Sequence, residues 1–290
     1  MANSIVYLNG NYVGLEKAKI SPLDRGFSYG DGIFETMRAY RGKVFRIDEH
    51  LKRLFASAAS IFLDIPFSKE QLGSIIYTTL ERNNYLESII RLTVSRGPDE
   101  YGLAIQSKPT PTLLVHARPL TSLEDILYKE GAAISTFPLS AFKTSRIEKQ
   151  IKSCNYLSQI LLKKLAGECG SFEAITVNEK GKICEGSSCN IFIVKGEILN
   201  TPPVGEYVLD GITRKAVLEI AGDLGIKGIE QEFGVDELYN ADEAFLTNTG
   251  IEIMPACLAD NRAISSGKPG NLTRRLQAEL SKLIEDECQK

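Results

Sequence analysis

Residues 33–62 read IFETMRAYRGKVFRIDEHLKRLFASAASIF, and two periodicities follow one another along them. A period of two over Ile33–Tyr40 places Phe34, Thr36, Arg38 and Tyr40 on one face of a strand and Ile33, Glu35, Met37 and Ala39 on the other. Arg41-Gly42 supplies the turn, and KVFRI the return strand. From residue 48 the spacing becomes helical, with Leu51, Leu54, Phe55, Ala58 and Ile61 forming one apolar stripe. Arg38, between aromatics on a strand, is unusual for a plain core face.

Outward from this stretch, the same grammar recurs. Residues 4–14 read as a short strand pair around Asn9-Gly10, a helix covers about 69–82, and strands follow at about 88–95 and 112–117. A polar connection begins at Arg118-Pro119. We therefore expect a smaller N-terminal domain over 1–118, a linker over 119–129 and a larger domain over 130–290. The second half predicts a helix at 154–166, strands at about 173–178, 182–185, 190–194 and 197–199, a helix from Asp210-Gly211 to about Gly222, a strand at 243–247 and a last helix at about 272–286. Strands and helices mix without strict βαβ alternation, so the fold class is α+β.

Composition removes several classes of function. The chain has 290 residues, 43% of them hydrophobic and 24% charged, with a net charge of -3. Such a balance gives no electrostatic reason to expect nucleic acid or an anionic membrane as a partner. The cysteines (Cys154, Cys169, Cys184, Cys189, Cys257 and Cys288) form no CxxC pair and lack zinc-site spacing. With only His50 and His116, a histidine-rich metal site is excluded. MANSIVYLNG has no basic region and no long apolar run, which predicts no signal peptide, and no stretch approaches a membrane helix. The expectation is a cytoplasmic enzyme with reduced thiols.

Four segments carry chemistry. Lys152, in IKSCNY, precedes an apolar helix, where a lysine is normally solvated. Glu185 closes a short strand and is followed by GSSCN. In Asp210-Gly211-Ile212-Thr213-Arg214, Asp210 is a suitable N-cap, Gly211 permits close backbone approach and Thr213 adds a hydroxyl. A helix start of this kind suits a phosphate. Thr247-Asn248-Thr249-Gly250 offers a second turn rich in hydroxyl and backbone donors.

Taken together, DRGFSYGDGIFETMR (24–38), EHLKRLFAS (49–57), KSCNYL (152–157), EGSSCNIF (185–192), LDGITR (209–214) and ADEAFLTNTGIEIMP (241–255) resemble, in order, the blocks of the class IV aminotransferases, the fold-type IV pyridoxal-phosphate enzymes. The resemblance spans nearly the whole chain and implies the following roles. Lys152 would hold pyridoxal 5'-phosphate as a Schiff base and move the proton between substrate and cofactor. Glu185 would pair with the pyridine nitrogen. Arg53 would bind the phosphate, with Gly211, Ile212, Thr213, Asn248 and Thr249 completing its cup. Tyr156 would lie near the phenolic oxygen. Tyr29, Phe34, Thr36, Arg38, Arg91, Tyr101 and Gly250 would line the substrate pocket. The resemblance also implies a homodimer.

Within the family, Phe34-Glu35 and Arg91 resemble branched-chain aminotransferases, whereas Thr36 replaces a glycine and Ile89 a tyrosine of those enzymes. D-amino-acid aminotransferases carry an arginine and a histidine where this chain has Tyr101 and Leu103, which leaves their carboxylate recognition unmatched. Aminodeoxychorismate lyase is the competing reading: FETMR, LDGITR and TNTGIEIMP resemble it as well, and some lyases carry a functional threonine at the place of Thr36. The expected activity is transfer of an amino group from a branched-chain or other hydrophobic L-amino acid to 2-oxoglutarate. The alternatives are the lyase reaction and then D-amino-acid transfer.

Overall fold

Strand β3 (Gly32–Tyr40) is the centre of the first of two compact units in the computed structural model of the chain, which describes residues 4–100, 102–105, 109–121, 125–139, 151–205 and 207–289. This unit holds a six-stranded antiparallel sheet. The strands are β1 (Ile5–Leu8), β2 (Asn11–Gly14), β3, β4 (Lys43–Val44), β5 (Ser88–Ser95) and β6 (Thr112–Pro119), in the order β2-β1-β6-β5-β3-β4. Helices α2 (Ile47–Ser60) and α3 (Lys69–Asn83) cover one face, following a short α1 (Arg25–Tyr29) that the sequence reading did not separate. The alternation of β3 is as read. Ile33, Met37 and Ala39 enter the core with Leu51, Leu54, Ile76 and Ile90, while Thr36, Arg38 and Tyr40 on the opposite face stay partly open. The return strand is shorter than expected. Arg46 adopts a left-handed conformation with φ of 51°, and the chain turns from there directly into α2.

The short β4 leaves the other end of the β3 edge unpaired, and residues 151–155 occupy it. Phe34 N–H donates to the Lys152 carbonyl at 2.9 Å, and Cys154 N–H donates to the Gly32 carbonyl at 2.8 Å. This is why the helix expected from residue 154 begins only at Leu157: the preceding backbone is committed to β3. It also changes the division of the chain. The first unit comprises Met1–Thr121, Ile151–Asn155 and Ile284–Lys290, rather than ending at a single cut near 118. Its last segment is tied by Arg46, which reaches Glu287 at 3.2 Å. Within 119–129, read as linker, β6 continues through Pro119 and α4 (Asp125–Glu130) begins.

The second unit holds a mixed sheet. Its strands are β7 (Ala132–Pro138), β8 (Glu173–Val177), β9 (Ile183–Gly186), β10 (Asn190–Lys195), β11 (Ile198–Thr201), β12 (Lys227–Glu230), β13 (Glu243–Asn248) and β14 (Glu252–Ala259), ordered β12-β11-β10-β13-β14-β7-β8-β9, with β15 (Arg262–Ala263) on β14. The β11–β12, β14–β7 and β7–β8 pairs are parallel. Helices α5 (Leu157–Glu168), α6 (Ile212–Asp223) and α7 (Val235–Tyr239) belong here, together with most of α8 (Asn271–Gln289). Ile175, Ile191, Leu246 and Met254 are central to its core. No helix among the described residues is long and apolar enough to cross a membrane.

Helix α8 is anchored by one carboxylate. Glu243 accepts from the Leu272 and Thr273 backbone N–H groups, at 2.9 and 2.7 Å, and from the Thr273 hydroxyl at 2.7 Å. Replacing Glu243 by Ala leaves three donors of a helix start unmet, so we expect a loss of about 1–3 kcal/mol, read as a lower urea midpoint at unchanged slope.

Candidate active site

In the first unit the site is assembled on β3 and the segment paired with it. Lys152 projects from that segment with its Nζ 4.8 Å from the centroid of the Phe34 ring. The Arg91 guanidinium lies 3.6 Å from the same centroid. Arg91 and Thr36 face each other in the β3–β5 register, as do Arg38 and Ile89, so these side chains share one sheet face. The Arg38 guanidinium rests 4.4 Å from the Tyr40 ring. Tyr29 closes α1, and its hydroxyl accepts from Gly102 N–H at 3.1 Å. The structure thus brings Phe34, Thr36, Arg38, Arg91 and Lys152 together. Tyr101 lies outside the described residues.

The core face of β3 carries a charged cluster that the spacing of residues does not mark. Glu35 is fully buried between Ile33 and Met37, positions that the period of two assigns to the apolar interior. Arg53 grips it from α2, Nε to Oε1 and Nη2 to Oε2, both at 2.7 Å, and His50 Nδ1 is 2.9 Å from Oε2. His50 and Arg53 are three residues apart and so project from one side of α2. His50, which reads as an ordinary histidine, belongs to this cluster. The signal available in the sequence was an acid in phase with the apolar residues of β3.

In the second unit the site residues collect around the start of α6. Glu185 Oε2 accepts from Leu209 N–H at 2.8 Å and lies 3.4 Å from Asn190 Nδ2, which also donates to the Leu209 carbonyl at 2.9 Å. Asn190 therefore orients Glu185, a role the sequence did not reveal although the residue stands in the EGSSCN block. A Cβ on Gly211 would sit 2.1 Å from Asn190 Oδ1, so a side chain there would displace Asn190 from its place beside Glu185. Gly211, not Asp210, is the N-cap of α6, and no side chain caps it. Asp210 instead pairs with Lys215 at 2.7 Å. The α6 start, with Ile212 and Thr213 buried, presents backbone N–H groups that no side-chain cap takes up, as an anion site needs. Asn248 spends its side chain on its own turn, accepting from Gly250 and Ile251 N–H at 2.7 and 2.9 Å and donating to the Ser188 carbonyl at 3.0 Å. Thr249 and Gly250 lie half-buried in that turn, and Tyr156 is half-buried at the entry to α5.

Residues 32–258, more than half of the chain, match the family model for amino-transferase class IV. The chain belongs to the class IV aminotransferases. It is 39% identical to a putative branched-chain-amino-acid aminotransferase of Methanocaldococcus jannaschii over 94% of this chain and 93% of that protein. It is 33% identical to a D-alanine aminotransferase of Bacillus licheniformis over 98% of this chain and 99% of that one. Among solved structures, the T.th. branched-chain amino acid aminotransferase with pyridoxamine 5'-phosphate superposes with a TM-score of 0.89 at 31% identity, covering 97% of this chain and 94% of that one. The Escherichia coli branched-chain amino acid aminotransferase superposes at 0.91 and 29% identity with the same coverage. The cofactor of this family, and so of this aminotransferase, is pyridoxal 5'-phosphate.

The buried cluster of this aminotransferase has a definite charge state. Burial works to raise the Glu35 carboxyl, but the charge and hydrogen bonds of Arg53, with the His50 contact, outweigh it and hold the group at about 2. His50 is pushed below its ordinary 6.5, chiefly by burial and further by the positive charges of Arg53 and Lys152, against the pull of Glu35. Its Nδ1 therefore carries a proton and donates to the carboxylate. Both groups titrate below their unfolded values, so the unfolded chain binds more protons in acid and stability is lost as pH falls. We expect the melting temperature of the wild type to fall as pH drops below 6.5 and again from 4.5 towards 2, while Glu35→Gln flattens the second stage.

Proposed function

We propose that this aminotransferase holds its pyridoxal 5'-phosphate covalently as a Schiff base on Lys152, and that it moves the amino group of branched-chain or other hydrophobic L-amino acids to 2-oxoglutarate. The observation that carries the reading is the placement of an amine and a guanidinium, Lys152 and Arg91, beside one buried aromatic ring, Phe34. The donor set suits the cofactor: a lysine amine, a carboxylate fixed by a backbone N–H, an uncapped helix start and an arginine. When bound, the cofactor supplies a pyridinium ring that delocalises the electron pair left on the substrate Cα.

The residues of the chain do the rest. Lys152 Nζ would be the group that takes up and gives back the substrate Cα proton. Glu185, oriented by Leu209 N–H and Asn190, would accept a hydrogen bond from the ring nitrogen and favour its protonated form. Arg53, Ile212, Thr213 and Thr249 would be the ligands of the phosphate, and Tyr156 would lie near the phenolic oxygen. Arg91, with Arg38 and Tyr29, binds substrate carboxylates. Thr36 and Gly250 would line the pocket for a hydrophobic side chain, with the Phe34 ring behind them. The D-amino-acid reading is disfavoured because Leu103, 83% exposed, has no group to bind a carboxylate. A homodimer in the cytoplasm accompanies this reading. Leu157 and Ile160 on α5, 69% and 61% exposed, present apolar surface suited to a second copy, and none of the six cysteines forms a disulfide.

Lys152→Ala should leave the circular-dichroism spectrum unchanged and remove both turnover and the visible absorption of the bound cofactor; turnover at the wild-type rate would overturn the role of Lys152. Assays with leucine plus 2-oxoglutarate, with D-alanine, and with aminodeoxychorismate should give glutamate from the first at a kcat/KM at least about 100-fold above the other two. Pyruvate release from aminodeoxychorismate as the fastest reaction would establish the lyase instead.

A further inference from the structure

Arg25 opens α1 and is 5% exposed, and its guanidinium is shared among three partners. Nε donates to Asp31 Oδ2 at 2.9 Å, Nη1 to the Gly102 carbonyl at 2.9 Å and Nη2 to the Leu103 carbonyl at 3.1 Å. At Gly102, φ of 124° gives the bend that lets two successive carbonyls meet one guanidinium. Asp31 is a fixed anchor, because Arg96 grips the same carboxylate fork to fork, at 2.8 and 3.0 Å, and is itself tied to the Ile61 and Phe62 carbonyls at the end of α2. Burial works to raise the Asp31 carboxyl, but the hydrogen bonds of Arg96 and Arg25 outweigh it and hold the group below its ordinary value. The same clamp holds Tyr29. The Arg25 guanidinium lies 5.1 Å from the centroid of its ring, and the Tyr29 hydroxyl accepts from Gly102 N–H at 3.1 Å. A hydroxyl that accepts from an N–H keeps its own proton to donate, in a direction limited by that contact. A Cβ on Gly30 would sit 2.1 Å from Asn155 Oδ1, so the end of α1 rests against the segment that carries Lys152.

We propose that Arg25, anchored by Asp31, is a positioning residue that aims the Tyr29 hydroxyl as a hydrogen-bond donor at a substrate carboxylate. This rests on the reading of Tyr29 as a substrate residue. Two other roles make different statements. If Arg25 drew the carboxylate by charge alone, lysine would serve in its place, whereas a lysine ammonium has no planar fork to span Asp31 and two carbonyls together. If Arg25 only stabilised the fold, its loss would lower the melting temperature and would add to the loss of the Tyr29 hydroxyl instead of replacing it.

The test uses the holoenzyme and 4-methylvaleric acid, which has the carbon skeleton of leucine without the amino group, so its binding reads carboxylate recognition apart from chemistry. The Kd is taken from the change in absorption of the bound cofactor. In Tyr29→Phe we expect this Kd to rise about tenfold to 100-fold. Arg25→Lys should raise it into the same range, with the KM for leucine rising alongside and kcat moving less than KM. The Kd for pyridoxal 5'-phosphate should stay within about twofold in that variant. The double variant Arg25→Lys/Tyr29→Phe should bind the acid no more than about twofold more weakly than Tyr29→Phe alone. A wild-type Kd in Arg25→Lys, or losses that multiply in the double variant, would overturn the positioning role. Should Arg25→Lys not fold, Asp31→Asn, which keeps the side-chain volume and weakens the anchor of Arg25, decides: an unchanged Kd there overturns the proposal. Tyr29→Phe alone separates the underlying reading. If it binds the acid as the wild type does, Tyr29 touches no carboxylate, and the proposal falls with that reading whatever Arg25 does.

Discussion

The charge of Glu35 is the constraint on which the first unit turns. A carboxylate placed among Ile33, Met37 and Leu51 is tolerable only where Arg53 and His50 meet it, and those two residues come from a single side of α2. The pairing therefore fixes how α2 lies on β3. A slip of β3 by one residue would send Glu35 to the open face and Phe34 into the core, leaving a buried guanidinium without its acid. With the register pinned, the opposite face of β3 presents Phe34, Thr36 and Arg38 as a set, and Arg91 joins them from β5.

Lys152 depends on the same strand by a different route. Its segment contributes two backbone hydrogen bonds to the β3 edge, one at Gly32 and one at Phe34, and the strand keeps that edge available only because β4 is two residues long. The left-handed turn at Arg46 that shortens β4 also starts α2, which brings His50 and Arg53 to Glu35. One local backbone event thus serves both the reactive amine and the arginine cluster. In the second unit the corresponding economy is around Asn190, which links Glu185, Leu209 and the glycine at the α6 start through one side chain.

The elements with a strong periodic signal were legible. Strand β3, helices α2 and α3, strands β5 and β6 and helix α6 lie within a few residues of their expected bounds, because each buries one face against its own unit and the pattern follows from that burial. Less legible were β7 and β14, central strands that pair in parallel with each other and of which β14 is buried with little alternation. Short α1 and α4 carry too few turns to show a period. The cap of α6 was read one residue early, since Asp210 has the chemistry of a cap but is drawn to Lys215. In the site, Lys152, Glu185 and the α6 start were recognisable from their blocks. Glu35, His50 and Asn190 were not, because each acts on another residue rather than on a ligand, and such a role has no signature in spacing.

By itself the sequence determined the family, the order of its blocks and the identities of the residues that carry the chemistry, since these depend on residue types in succession. The tertiary structure decided which of them act together. It took residues 151–155 out of the half of the chain in which they are numbered and laid them on β3. It turned an acid in an apolar phase into the anchor of an arginine 18 residues away. The physical reason is the same in both cases: a backbone edge and a buried charge must each find a partner, and only the folded chain determines which partner is within reach.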